Sequence, residues 1–177
     1  MTDQEKKEHA RNVVENFARS YWNDRLRWQV GQFVPGGDMN MPMLWENIIE
    51  KTMEPQEWLV MAEYGLGLHP DADDGYIYEI CQGLAEWLFS LPDMHTYEIP
   101  DMWKDSPLGA LWWAAMIRIQ GDELITINDA AKIAGVTVQA MSQRVTRGTL
   151  KSFTDPSANN PQRERKLVLR SDVEPKK

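Results

Sequence analysis

The chain is poor in the residues that most chemistry needs. It has one cysteine, Cys81, and three histidines. A single thiol excludes an intramolecular disulfide framework and fits a reducing compartment. His9, His69 and His95 stand apart from any metal-ligand spacing such as HxxxH or paired CxxC. A Gly-rich phosphate loop, a nucleophile elbow and an HExxH motif are all missing. No cofactor is therefore expected, and the chain is read as a non-enzyme. Long apolar runs are lacking too. A membrane span needs roughly 18 consecutive apolar residues, and the best candidate, Leu108 to Ile119, reads as a core helix. Met1 to Arg11 is charged with no apolar run behind it, unlike a secretory leader. The expectation is a soluble, cytoplasmic protein that does not contact a membrane. There is no internal repeat and no low-complexity tract.

What is present is apolar mass and an uneven charge. At 177 residues the chain can hold one domain or two small ones and can bury a core unaided. A 42% apolar content and eight tryptophans argue against intrinsic disorder. The net charge of −8 is the wrong sign for a nucleic-acid binder, but its distribution is not uniform. Met1 to Glu123 carries 9 Lys and Arg against 22 Asp and Glu, net −13; Leu124 to Lys177 carries 10 against 5, net +5. All eight tryptophans lie in the first part. Such asymmetry hints at nucleic-acid contact on the basic side.

Hydrophobic spacing predicts helices through the first part. Val13, Val14, Phe17, Ala18, Tyr21, Trp22 and Leu26 mark a helix from Thr2 to about Arg27. Gly31 to Pro42, with Pro35, Gly36 and Gly37, is a breaker. Met43 to Thr52 reads as a short second helix, and Pro55 suits the first turn of a third that runs to about Tyr64. Asp71 to Leu91 holds a longer helix with Tyr76, Ile80, Leu84, Trp87 and Leu88 as its apolar face. Pro92 to Pro107 is irregular. Ser106-Pro107 opens a last helix, Leu108 to about Gln120, that buries Trp112, Trp113, Met116 and Ile117. The expected domain, residues 1–120, is an acidic bundle of four or five helices around aromatic residues. Tryptophans at this spacing belong to a core rather than to a ligand cage. The segment His69 to Gly75 has calcium-loop composition but the wrong spacing: counted from Asp71, Gly75 comes one residue early and Glu79 falls at position 9 instead of 12. It reads as an acidic loop that caps the next helix.

The second expected domain, residues 121–177, carries the informative pattern. Thr126 can cap a short helix, Ile127 to Ala134, with Asp129 in a capping-box position. Ala130, Ala131 and Ala134 allow close approach of another helix. Gly135 suits a left-handed stop, Val136 can plug the core, and Thr137 can cap a second helix, Val138 to Arg147, ended by Gly148. Two short helices joined by such a turn are the signature of a helix-turn-helix. Met141 and Val145 can face inward. Of the outward residues, Val138, Gln139, Ser142 and Gln143 are the base-reading candidates, because the N-terminal end of such a helix meets base edges. Thr137, Arg144, Arg147 and Lys151 are phosphate candidates.

Thr149 to Phe153 can be a strand, DPSANNPQ (residues 155–162) a polar turn, and Arg163 to Arg170 a second strand with Leu167 and Leu169 set against Lys166, Val168 and Arg170. Ser171 to Glu174 offers a helix start. A hairpin after the two helices is a wing, with Arg163, Arg165 and Lys166 along phosphates or a minor groove. The ordered set Thr126, Ala130-Ala131, Gly135-Val136-Thr137, Gly148-Thr149-Leu150 and Arg170-Ser171-Asp172-Val173 resembles the winged helix-turn-helix of the MerR/excisionase type, over roughly residues 124–174. Arg144 departs from the pattern at a place often apolar: either the helix is rotated or Val145 takes the inward position. The wing is also longer than usual.

The fold expected is mainly α: a Trp-rich helical bundle followed by a winged helix-turn-helix with a small β-hairpin. The resemblance implies a DNA-binding regulator or recombination accessory factor. The function expected is sequence-specific binding of double-stranded DNA for transcriptional regulation, with the acidic part held away from the duplex and serving as a homodimer or protein-partner domain. A symmetric dimer would read half-sites about one helical turn apart. The alternative is a protein-interaction module, an acidic adaptor or DNA mimic, using the two helices as a docking hairpin. An enzyme with a DNA-binding tail would require a polar pocket in the first part.

Overall fold

Asp3 begins a 31-residue helix, α1 (Asp3–Phe33), whose residues Ala10, Val14 and Ala18 are buried at helical spacing. The computed structural model describes residues 1–33, 53–89, 97–157 and 166–174. The helix continues past the expected stop at Arg27 and through Gly31. A helix interior tolerates a lone glycine at a cost of about 1 kcal/mol. The remainder of the expected breaker and the expected helix Met43 to Thr52 lie outside the described residues.

Among the described residues, three further long helices follow in the first part: α2 (Met53–Gly65), α3 (Asp74–Phe89) and α5 (Pro107–Ile119). Pro55 sits in the first turn of α2, where backbone N–H groups have no helical acceptor in any case. The acidic loop caps α3 as expected, through Asp73: its carboxylate accepts from Gly75 N–H at 2.7 Å and Tyr76 N–H at 3.3 Å. The buried stripe of α3 is Ile77, Ile80, Cys81, Leu84 and Ala85. Tyr76, expected on that face, is 47% exposed, because the i, i+3, i+4 register starts one residue later. Within the segment expected to be irregular, Asp101–Lys104 forms a single helical turn, α4. Ser106 caps α5, its hydroxyl accepting from Gly109 N–H at 3.1 Å. Trp112 and Ile117 are buried; Trp113 and Met116 are only partly so.

The core of these helices is aromatic. Phe17 and Trp87 both pack on Trp58, with ring centroids 6.0 and 5.2 Å away. Trp112 Nε1 donates to the Cys81 carbonyl at 2.8 Å, so its one polar atom is satisfied in the core. Gly65 lets α2 cross α5 closely: a Cβ there would lie 2.5 Å from the Leu111 carbonyl oxygen. Burial pushes the Cys81 thiol up to about 12.

After Gly121 the chain forms a three-stranded antiparallel sheet and two short helices: β1 (Leu124–Thr126), α6 (Ile127–Ile133), α7 (Val138–Thr146), β2 (Phe153–Thr154) and β3 (Lys166–Leu169), with β3 central in the order β1-β3-β2. The sequence pattern anticipates a two-stranded hairpin; β1, running directly into α6, is the addition. β2 starts at Phe153 rather than Thr149, because the N–H groups of Thr149 and Leu150 turn back to the Arg144 carbonyl and close α7 instead. The alternation expected of β3 is also replaced. Val168, expected outward, is fully buried. Paired residues of antiparallel strands share a face. Ile125 and Val168 therefore face α6 and α7, while Leu124, Leu167 and Phe153 face the helical part. A strand covered on both sides has no polar face to alternate with. Ser171 to Glu174 is a turn, not a helix start, and buries Val173 in the cluster with Ala130, Ala131 and Met141.

The fold is thus mainly helical with a small antiparallel sheet. Among the described residues, no helix is long and apolar enough to cross a membrane.

Candidate nucleic-acid interface

Local rules position α6 and α7. The Thr126 hydroxyl accepts from Asp129 N–H at 3.1 Å and donates to the Asp129 carboxylate at 2.7 Å. Lys132 and Thr126 together hold that carboxyl below its ordinary value. Gly135 takes φ +64 in the turn, a conformation costly for any residue with a Cβ. The Thr137 side chain caps α7 by accepting from Ala140 N–H at 3.2 Å. Its O–H remains a donor for an incoming oxygen.

The core side of α7 is Met141, fully buried, and Val145, partly buried against the same cluster. Val145 takes the inward position and Arg144 is exposed. At about 100° per residue, the direction opposite Met141 and Val145 falls on Gln143, flanked by Gln139 and Arg147. All three are exposed. Val138, 46% exposed, and half-buried Ser142 lie toward one edge. Thr146 shares the outward face and is exposed, its hydroxyl donating to the Ser142 carbonyl at 3.0 Å. The base-reading and phosphate candidates do not include it, although its i+3 spacing from Gln143 is a sequence signal for the same face.

The charge of this face is one-sided. No Asp or Glu occurs between Asp129 and Asp155, while Lys132, Arg144, Arg147 and Lys151 do. Lys132 pairs with Asp129 at 3.0 Å, and Arg170 with Glu174 and Glu123 at 2.8 and 3.0 Å. Arg144, Arg147 and Lys151 pair with no carboxylate among the described residues. Arg144, Arg147 and Lys151 are therefore exposed without a close acid, although Lys151 adds to Lys104 in holding the Asp101 carboxyl below its ordinary value, whereas Lys132 and Arg170 are tied to acids. Lys151 lies with its ammonium 5.3 Å from the Trp113 ring centroid and 5.2 Å from that of Phe153. Lys166, on β3, is half-buried with Nζ 3.5 Å from the Thr154 hydroxyl. Arg163 and Arg165 lie outside the described residues.

Such a face can present amide and guanidinium forks to base edges and cations to phosphates. No cluster of three His, Cys, Asp or Glu able to hold a metal occurs among the described residues. Two clefts, of about 280 and 270 Å³, lie along the seam between the sheet and the helical part. Comparison with protein families, with curated proteins and with solved structures finds no match for this chain.

Proposed function

We propose that this chain is a sequence-specific DNA-binding protein, a transcriptional regulator, with α6 and α7 acting as a helix-turn-helix and the β2–β3 connection as its wing. This reading retains the MerR/excisionase-type resemblance of residues 124–174. The observation that carries it is the outward face of α7: Gln139, Gln143 and Arg147 are exposed side by side on a stretch, Gly135 to Thr154, with three cations and no acid. Helix α7 enters the major groove with its N-terminal end toward the bases. Val138, Gln139, Ser142 and Gln143 read base edges, and Thr137, Arg144, Arg147 and Lys151 hold phosphates, with Arg163, Arg165 and Lys166 contributing from the wing.

The test is selection by the purified full chain from a random duplex library at two salt concentrations, alongside a Gln139→Ala/Gln143→Ala variant and an Arg147→Ala variant. One enriched motif is expected. The glutamine variant loses its preference, since a good bidentate contact is worth about 1–3 kcal/mol of discrimination. Arg147→Ala weakens binding to all sequences alike and flattens the salt dependence. Absence of binding at low salt would overturn the proposal and turn the α7 face into a protein-docking surface.

A further inference from the structure

The acidic helical part is not uniformly turned away from the candidate interface. At the seam, α4 brings Lys104 to within 5.3 Å of the Trp113 ring centroid, the same distance at which Lys151, on the stretch between α7 and β2, approaches that ring. The two ammonium groups are thus no further apart than twice that length. We infer that Lys104 and Lys151 form one phosphate clamp across the seam, holding the backbone of the duplex that α7 reads. This rests on the DNA-binding reading and adds to it a contact from the helical part.

The position of Lys104 is fixed by close packing. Helix α4 lies hard on the first turn of α5: a Cβ at Gly109 would come 2.0 Å from the Trp103 carbonyl oxygen. The Trp103 ring is wedged between Phe89 and Trp112, with centroids 5.1 and 5.6 Å away. Next in the chain, Asp105 accepts from the Thr154 hydroxyl at 2.9 Å, tying this turn to β2. Trp113 meets Phe153 edge-on at 5.9 Å. Lys104 and Lys151 therefore flank a cleft of about 270 Å³ whose walls come from both parts of the chain.

Two like charges over one indole repel each other, and the negative ring face only partly offsets that. An anion between them removes the repulsion. The carboxylate now closest is Asp101, which accepts from Lys104 at 2.8 Å with its side chain 97% exposed. An exposed pair of this kind contributes little, so a phosphate can take its place. The other acid of the cleft, Asp105, is engaged by Thr154.

The experiment is fluorescence anisotropy of the full chain with a fluorescein-labelled mixed-sequence duplex, from about 50 to about 200 mM salt. The variants are Lys104→Ala, Lys104→Arg, Asp101→Asn and Lys151→Ala, each checked for folding by circular dichroism. Each phosphate neutralised contributes about 0.9 to the log–log salt slope. Lys104→Ala is expected to lower the slope by about that amount, so that it loses roughly three- to fourfold less affinity than wild type across this range. Lys151→Ala behaves alike, Lys104→Arg retains the wild-type slope, and Asp101→Asn, freed of the competing carboxylate, binds more tightly. Wild-type affinity and slope in Lys104→Ala, with Lys151→Ala weakened, would overturn the clamp and leave the DNA reading standing. Equal losses in Lys104→Ala and Lys104→Arg at an unchanged slope would mark a purely structural lysine and also overturn it. A wild-type chain that binds no duplex at low salt would overturn the DNA reading itself.

Discussion

The part of the chain up to Glu123 holds all eight tryptophans and a net charge of −13; the part after it holds none and carries +5. Their cores differ accordingly. In the first, rings pack on rings in chains such as Phe17–Trp58–Trp87 and Trp103–Trp112–Trp113. In the second, the buried cluster consists of Ile125, Ala130, Ala131, Met141, Leu150, Val168 and Val173, without an aromatic ring. Fully burying an aliphatic side chain stabilises by only about 1.5–3 kcal/mol. So small a cluster depends on every member, and on caps and turns that restrict the chain before it packs. The helical part has apolar area to spare.

The largest effect expected from this difference is at Met141, which is fully buried at the centre of the smaller cluster. Met141→Ala should cost about 2–5 kcal/mol, a large share of a domain's usual 5–15 kcal/mol or so. Cys81 gives an independent reading of the other part, because its thiol is buried and held protonated, hence inert while those helices stay closed. In a urea titration of Met141→Ala, the circular-dichroism signal should lose part of its amplitude early while Cys81 stays protected from thiol reagents. Labelling of Cys81 that advances in step with the early loss would show that the two parts unfold as one.

Glycine sharpens the comparison, because the two parts use it for different reasons. Gly65 needs space: its Cβ would meet the Leu111 carbonyl, and its φ is not positive. Gly135 needs conformation: φ is +64 and nothing lies within 4 Å of a Cβ built there. Gly65→Ala should cost about 1–3 kcal/mol by overpacking, and Gly135→Ala about 1–2 kcal/mol by forcing a left-handed alanine. Asparagine separates the causes. At Gly135 it should recover much of the loss, since Asn tolerates that region; at Gly65 it should be worse than alanine. Chemical denaturation midpoints of the four variants measure this, and the same ranking at both sites would remove the distinction.

The same contrast governs how much could be read from the sequence. Thr126, Gly135, Thr137 and Gly148 act within three or four residues of themselves, so α6, their turn and α7 were legible almost residue by residue. β1 was not, because three residues ahead of a helix cap carry no period of their own; only pairing with β3 makes them a strand. The face of β3 is not legible in its alternation, because Val168 and Leu167 are both buried, on opposite sides, by elements distant in sequence. Tyr76 lies one residue of helical register off the buried stripe of α3. Within the candidate site, Gln139, Gln143, Arg144 and Arg147 followed from the period of α7. Lys104 carries no such local signal: it comes to the Trp113 ring, which Lys151 also approaches, only through the packing of α4 on α5 and the hydrogen bond of Asp105 to β2.

The smallest expected effect lies where the two parts join. Asp122 follows α5, and its carboxylate accepts from the Ser171 hydroxyl at 2.5 Å, from Glu123 N–H at 2.7 Å and from Ser171 N–H at 3.3 Å, so that it holds the end of β3 to the end of α5. Partial burial pushes this carboxyl up, but the hydrogen bonds from Ser171, Glu123 and Arg170 outweigh it and hold it below its ordinary value. With the folded value below the unfolded one, the charged form stabilises the fold above the ordinary carboxylate range, near about pH 4, and the contribution is lost as pH falls through the folded value. Asp122→Asn keeps the shape and removes the charge. Its melting temperature should lie slightly below wild type at neutral pH, by the equivalent of less than about 1 kcal/mol for so solvated a contact. The two curves should converge in acid, where wild-type Asp122 is protonated as well. A gap that persisted in acid would assign the loss to hydrogen-bond geometry rather than charge. A gap far larger than this would mean that the join, and not the small cluster behind it, limits the stability of the second part.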